Sequence, residues 1–395
     1  MAERYLDFDE IIDRHNTNSV KYDLKEDMGY PEDALSLWVA DMDFKSSSYI
    51  EDALERCIKH GVYGYGFASE SYVNAVLAWM RKHHNWIAKS EWLVKAPGVV
   101  FAIAAAIRAY TNPGDAVLIQ EPVYYPFKNE IVANKRKTVI NNLLYENGKY
   151  SIDFEDFEKK IVNENVKLFI LCSPHNPVGR VWKKDELERL GNICKKHEVI
   201  IVSDEIHHDL IFRGEHIVFT NVNKDFEDFT IICTAPSKTF NLAGLCASNI
   251  FIPNQKLRNK YKEEMSKVSA NVNILGLAAC EAAYSKGETW YNAMMKYVKE
   301  NIDFTKEFVK NIPGVKMVET EGTYLIWLDF KELGLKKAEL ENLIKNKAKL
   351  WLDGGGMFGE AGIGFQRINA ACPRSILEEA LKRLKLAVED IKKTA

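Results

Sequence analysis

No C-x-x-C pair occurs in this chain, and its seven cysteines are an odd number scattered along 395 residues. That argues against a disulfide framework or a cysteine-rich zinc site, so the thiols read as core side chains in a reducing compartment. Long apolar runs are missing too. The most conspicuous, VVFAIAAAI, is stopped by Arg108, well short of the roughly 20 residues that cross a bilayer. The first residues, MAERYLDFDEIIDRHN, are acidic and lack the basic-then-apolar layout of a secretory signal. Charge of one sign is also lacking: a net charge of −3 gives no electrostatic reason to expect nucleic acid or an anionic membrane as partner. There is no internal repeat, no low-complexity tract and no Pro/Gly/Ser linker. The expectation is a cytoplasmic globular protein that handles small molecules.

What is present is an alternation of short apolar, β-rich runs with helical patterns. AVLIQ (116–120), KLFILC (167–172), VIIVSDEI (199–206) and FTIICT (229–234) read as buried strands. Between the second and third lies KKDELERLGNICKKHE, with Leu187, Leu190, Ile193 and Cys194 at helical spacing, acids early and lysines late. The pattern predicts an α/β fold with a mostly parallel sheet covered by helices on both faces. Beyond residues 285–295 the character shifts to long amphipathic stretches, the strand-like TYLIWLDF, a glycine-rich loop and a final helix. A smaller α+β unit is expected there, joined by a long helix.

Ligands of open parallel sheets collect at the carboxyl ends of the strands. Three consecutive strand ends carry polar groups here: Asn176 in SPHNPVG, Asp204 in SDEIHHD and Lys238 in TAPSK. Taken singly, each has an ordinary reading. An asparagine between prolines is usually a turn residue, an aspartate after a strand a cap or surface acid, and a lone lysine solvated. The joint order, at crossover intervals, favours a shared site.

SPHNPVGR, SDEIHHDL and APSKTFNLAGL resemble the motifs of the fold-type I pyridoxal-phosphate enzymes, the aspartate aminotransferase superfamily, and the resemblance runs over nearly the whole chain. WVADMDF, EPVYYPF, DEIHHDL and RINAACPRS are similar to its cystathionine β-lyase branch, that of MalY and PatB. The resemblance implies a fold-type I transferase architecture with a seven-stranded, mostly parallel sheet. It places a large cofactor-binding domain at 48–288 and a small domain built from 1–47 and 289–395. It also implies a homodimer with shared active sites.

By this resemblance Lys238 forms the Schiff base with pyridoxal 5′-phosphate and later shuttles protons, which suits a lysine set among small residues because desolvation favours its neutral amine. Asp204 pairs with the pyridinium nitrogen, Asn176 donates to the ring's phenolate oxygen, and Tyr124 stacks on the ring, with Tyr125 a weaker candidate. His207 stands where many relatives carry a tyrosine that touches the same oxygen. Gly98 with the N–H groups of Val99 and Val100, at a helix start in APGVV, cradles the phosphate together with Ser237. Tyr65 reaches a partner subunit's phosphate. Arg367 grips the substrate's α-carboxylate in a bidentate pair, whereas Arg374 reads as structural. One departure stands out: many relatives carry a phosphate-binding arginine eight positions after the lysine, and this chain has Cys246.

Two competing signals carry little weight. GYGFAS lacks the third glycine and the preceding strand of a dinucleotide fingerprint. DEIHHD, read as strand, would split its would-be metal ligands between two faces, so no metal is expected. The function implied is a pyridoxal-phosphate carbon–sulfur β-lyase that cleaves L-cystathionine or other cysteine S-conjugates to a thiol, pyruvate and ammonia. The alternative is a class I/II aminotransferase.

Overall fold

The computed structural model describes residues 2–394. Its core is a seven-stranded sheet built from β1 (Leu93–Ala96), β2 (Ala116–Glu121), β3 (Lys137–Asn142), β4 (Val166–Cys172), β5 (Ile200–Asp204), β6 (Thr230–Thr234) and β7 (Ser248–Phe251). The spatial order is β1-β7-β6-β5-β4-β2-β3. Neighbours from β6 to β3 pair in parallel, and β7 runs antiparallel to both β6 and β1. The expected mostly parallel sheet is therefore present, with one reversed strand.

Its central strands are buried on both faces, which is why they read as unbroken apolar runs rather than alternating ones. Along β4, Leu168 and Ile170 point into one apolar cluster and Phe169 and Leu171 into the other. Each such side chain contributes roughly 1.5–3 kcal/mol by leaving water. On the first face lies α3 (Val99–Tyr110), following α1 (Ser48–His60) and α2 (Glu70–His84) in the chain; its Ala102, Ala105 and Ala106 let the helix approach the sheet closely. On the second lies α4 (Lys184–Lys196), through the Leu187, Leu190 and Cys194 seen in its periodicity.

A long helix, α5 (Glu288–Val309), leads to an antiparallel four-stranded sheet of β8 (Lys316–Met317), β9 (Leu325–Asp329), β10 (Asp353–Gly354) and β11 (Phe365–Asn369), ordered β8-β9-β11-β10. The closing helix α6 spans Arg374–Thr394. N-terminal residues join this part: Leu35–Ser36 pairs in parallel with Leu350–Trp351, and Leu37 and Asp43 bond the backbone at Asn369 and Ala371. Residues 38–41 are thereby laid across the carboxyl ends of the large sheet.

Candidate active site

A cavity of about 270 Å³ opens where β4, β5 and β6 end, and its lining includes Gly98, Tyr124, Asn176, Asp204, His207 and Lys238. Val99, Val100 and Ser237 also line it. Nine of the eleven expected site residues thus meet in one hollow. Arg367 reaches it indirectly, because its Nη1 donates to Asn176 Oδ1 at 3.0 Å. Tyr65 does not enter: it is fully exposed, outside the cavity of its own chain.

Lys238 is placed by a one-turn helix, Pro236–Thr239, that follows β6 directly. Its Nζ donates to the Ala40 carbonyl at 2.6 Å. Burial lowers its pKa to about 8, against the pull of the Asp41 carboxylate and with the push of the Arg367 guanidinium. At neutral to mildly basic pH a sizeable share of this amine is therefore unprotonated and nucleophilic.

Asp204 ends β5 with one backbone donor, Ile206 N–H at 3.1 Å. Burial outweighs that bond and the Lys238 charge and raises its pKa to about 7. A buried carboxylate so sparsely paired fits a cationic partner brought by a ligand. His207, also buried, has an Nδ1 with no hydrogen-bond partner, and burial holds the ring neutral. Asn176 spends Oδ1 on Arg367, which leaves its amide N–H groups as the donors available to a ligand. Tyr124 is fixed by its backbone, whose N–H bonds the Asn176 carbonyl at 3.1 Å.

The opposite end of the cavity is built for an anion. Gly98, at φ +145°, turns the chain into α3 with no side-chain cap, so the first N–H groups of the helix are unsatisfied there. A Cβ is disfavoured at that φ. Lys238 is the single lysine or arginine among the lining residues, and Cys246 also lines the wall. Groups that could meet the ring nitrogen, the ring oxygen and the phosphate of pyridoxal 5′-phosphate therefore share one cavity.

Four contributors escaped the sequence reading. The Ala40 carbonyl and the Asp41 charge, both in WVADMDF, act on Lys238. Tyr324 OH donates to the same carbonyl at 2.9 Å. Asp353 bonds Arg367 Nη2. WVADMDF marked a likeness but gave no role, and the Asp353 contact depends on strand pairing that sequence does not show. Arg374 is structural as expected, with Nε on Asn301 Oδ1 at 2.6 Å.

DEIHHD is not the continuous strand expected of it. β5 stops at Asp204, and residues 205–209 form a turn instead of a strand. Asp204 and His207 consequently face one cavity, while ligand atoms of His84, His208 and Asp209 lie within 4.8 Å of one another in the core. The Asp209 carboxylate there accepts from Trp79 Nε1 at 2.9 Å and Thr239 Oγ1 at 2.6 Å, and pairs with His84 Nε2 at 2.7 Å.

With this geometry in place, comparison with known proteins is decisive. The model of the family "Aminotransferase class I and II" matches residues 42–384. The chain belongs to that family. Cystathionine beta-lyase PatB of Bacillus subtilis is 42% identical, with 97% of this chain and all of that protein covered. Cystalysin from Treponema denticola, solved with pyridoxal 5′-phosphate, superposes with a TM-score of 0.94 at 40% identity, covering 98% of this chain and 99% of its own. The PLP-bound C-S lyase from Staphylococcus hominis gives 0.90 at 34% identity over 96% and 97%.

Proposed function

We propose that this family member is a pyridoxal-phosphate-dependent carbon–sulfur β-lyase, acting on L-cystathionine or other cysteine S-conjugates and yielding a thiol, pyruvate and ammonia. The observation that carries it is one cavity in which a buried lysine with pKa about 8 and a sparsely paired buried aspartate meet, with an arginine tied to its wall through Asn176. Likeness to PatB and to the C-S lyase supports carbon–sulfur cleavage as the outcome.

Bound pyridoxal 5′-phosphate supplies an aldehyde for amines and an electron sink next to the substrate's Cα. Asp204 would hold a proton on its ring nitrogen, Asn176 and His207 would donate to its ring oxygen, Tyr124 would pack on the ring, and the α3 N-terminus with Ser237 would take the phosphate. Lys238 Nζ, once displaced by substrate, takes the Cα proton. The electrons of the Cα–H bond end in a Cα=Cβ bond, and those of the Cβ–S bond leave with sulfur. The aminoacrylate released hydrolyses to pyruvate and ammonia. Arg367 orients the α-carboxylate, and Lys238 is the single lysine or arginine in the cavity lining, so no arginine there is placed for the side-chain carboxylate of an aspartate-type transaminase substrate.

A homodimer belongs to the same proposal. Tyr65 and Phe67 are exposed in a coil next to Ile274, and Val62 and Ile274 border a groove between α1 and residues 274–286. A partner subunit seated there would bury this patch and let Tyr65 serve the other site. The proposal includes a large domain over 48–288, a small domain built from 1–47 and 289–395, and a cytoplasmic location. The test is L-cystathionine with no keto acid present. Sustained, equal release of pyruvate and thiol is expected. A single conversion of the cofactor to its amine form, reversed by a keto acid, would establish the aminotransferase instead.

A further inference from the structure

Arg367 has five N–H donors, and contacts within the protein already engage three of them. Nη1 bonds Asn176 Oδ1 at 3.0 Å, while Nη2 bonds the Trp38 carbonyl at 2.9 Å and the Asp353 carboxylate. Nε is buried without a partner. A substrate carboxylate that approaches side-on needs Nε and Nη2 together. The second of these is held by Asp353.

This contact is built into the sheet. Antiparallel pairing of β10 with β11 sets Asp353 opposite Arg367, so the two side chains leave the same face as cross-strand neighbours. Both are almost fully buried. The guanidinium does not depend on Asp353 for its position: Asn176 and the Trp38 carbonyl hold it from two sides, and its Cζ lies 4.9 Å from the Phe358 ring centroid.

We propose that Asp353 is a specificity-determining residue, an internal stand-in for the substrate's α-carboxylate that closes one arm of the Arg367 fork and yields it when an amino acid binds. The inference rests on the amino-acid site proposed above. Two anions cannot share one buried guanidinium without mutual repulsion, so the incoming carboxylate gains only what it wins over Asp353. Selectivity follows. A simple carboxylate has to displace Asp353 unaided, whereas an α-amino acid is also anchored through its amine.

The test uses the holoenzyme and α-aminoisobutyrate, which has amine and carboxylate but no Cα hydrogen and so binds without turnover. Isopropylamine, lacking the carboxylate, is the control, and binding is read from the absorbance of the cofactor. Asp353→Asn is expected to lower the Kd of α-aminoisobutyrate roughly tenfold or more and to leave that of isopropylamine unchanged. Equal or weaker affinity for α-aminoisobutyrate, or the same gain with both amines, overturns the inference. If the variant does not fold, a wild-type crystal with α-aminoisobutyrate decides: Asp353 moved out of bonding distance of Arg367 supports the exchange, and a retained bond refutes it. Wild-type protein that responds to neither amine would refute the amino-acid site itself, whereas normal wild-type binding without tightening in the variant refutes only the role of Asp353.

Discussion

Removing the carboxylate of Asp204 should make the cofactor-free protein more stable while making it a worse enzyme. Burial raises the pKa of this group from 3.8 to about 7 in the folded protein. The folded state thus holds the proton more tightly than the unfolded chain does. That contribution is fully present below pH ~4 and is lost as pH climbs through about 7. A difference of about 3 units corresponds to ~4 kcal/mol between the ends of this window. Asn in place of Asp removes the titration and the cost of a buried, sparsely paired charge. Urea denaturation of the apoprotein at several values between pH 5 and 8 reads the effect. Relative to wild type, Asp204→Asn should gain stability progressively across the range and exceed it by a few kcal/mol at pH 8. Cofactor retention should fall in the same variant. An Asp204→Asn apoprotein no more stable than wild type at pH 8, or with the same pH slope, would refute the reasoning.

Capture of pyridoxal 5′-phosphate by the apoprotein should quicken from pH 7 to 9 and level off above, because the Lys238 amine loses its proton near pH 8; a rate still climbing past pH 10 would mean an unperturbed lysine. Mixing two weakly active variants, Tyr65→Phe and Lys238→Ala, should restore about a quarter of wild-type activity, since half the dimers would be hybrids with one intact site each; no recovery after subunit exchange would remove Tyr65 from the partner's site. Cys246→Arg should tighten cofactor binding about tenfold by supplying the missing phosphate cation, measured by equilibrium dialysis against pyridoxal 5′-phosphate. An unchanged constant would show that the α3 N-terminus suffices.

The large sheet was legible because its strands are apolar on both faces, a pattern that β4 carries from Leu168 to Cys172 and β6 from Thr230 to Thr234. Asn176, Asp204 and Lys238 were legible because strand ends of a parallel sheet face one edge. The turn after Asp204 was not legible, because the polar run EIHHD carries no glycine or proline to mark where the strand ends and the His208 N–H to Glu205 carbonyl turn begins. Asp353 was invisible for a different reason. Its meaning lies in a two-residue pairing with β11, and cross-strand register between segments this short leaves no periodicity in the sequence. The Ala40 carbonyl was hidden likewise, because a backbone acceptor has no residue type to betray it.

Reduction of the holoprotein with borohydride, followed by peptide mass spectrometry, tests the central claim most directly. A pyridoxyl-phosphate mass on the peptide that contains Lys238, and on no other, is predicted. The same label on a different lysine, with Lys238 unmodified, would contradict the site and the chemistry assigned to it.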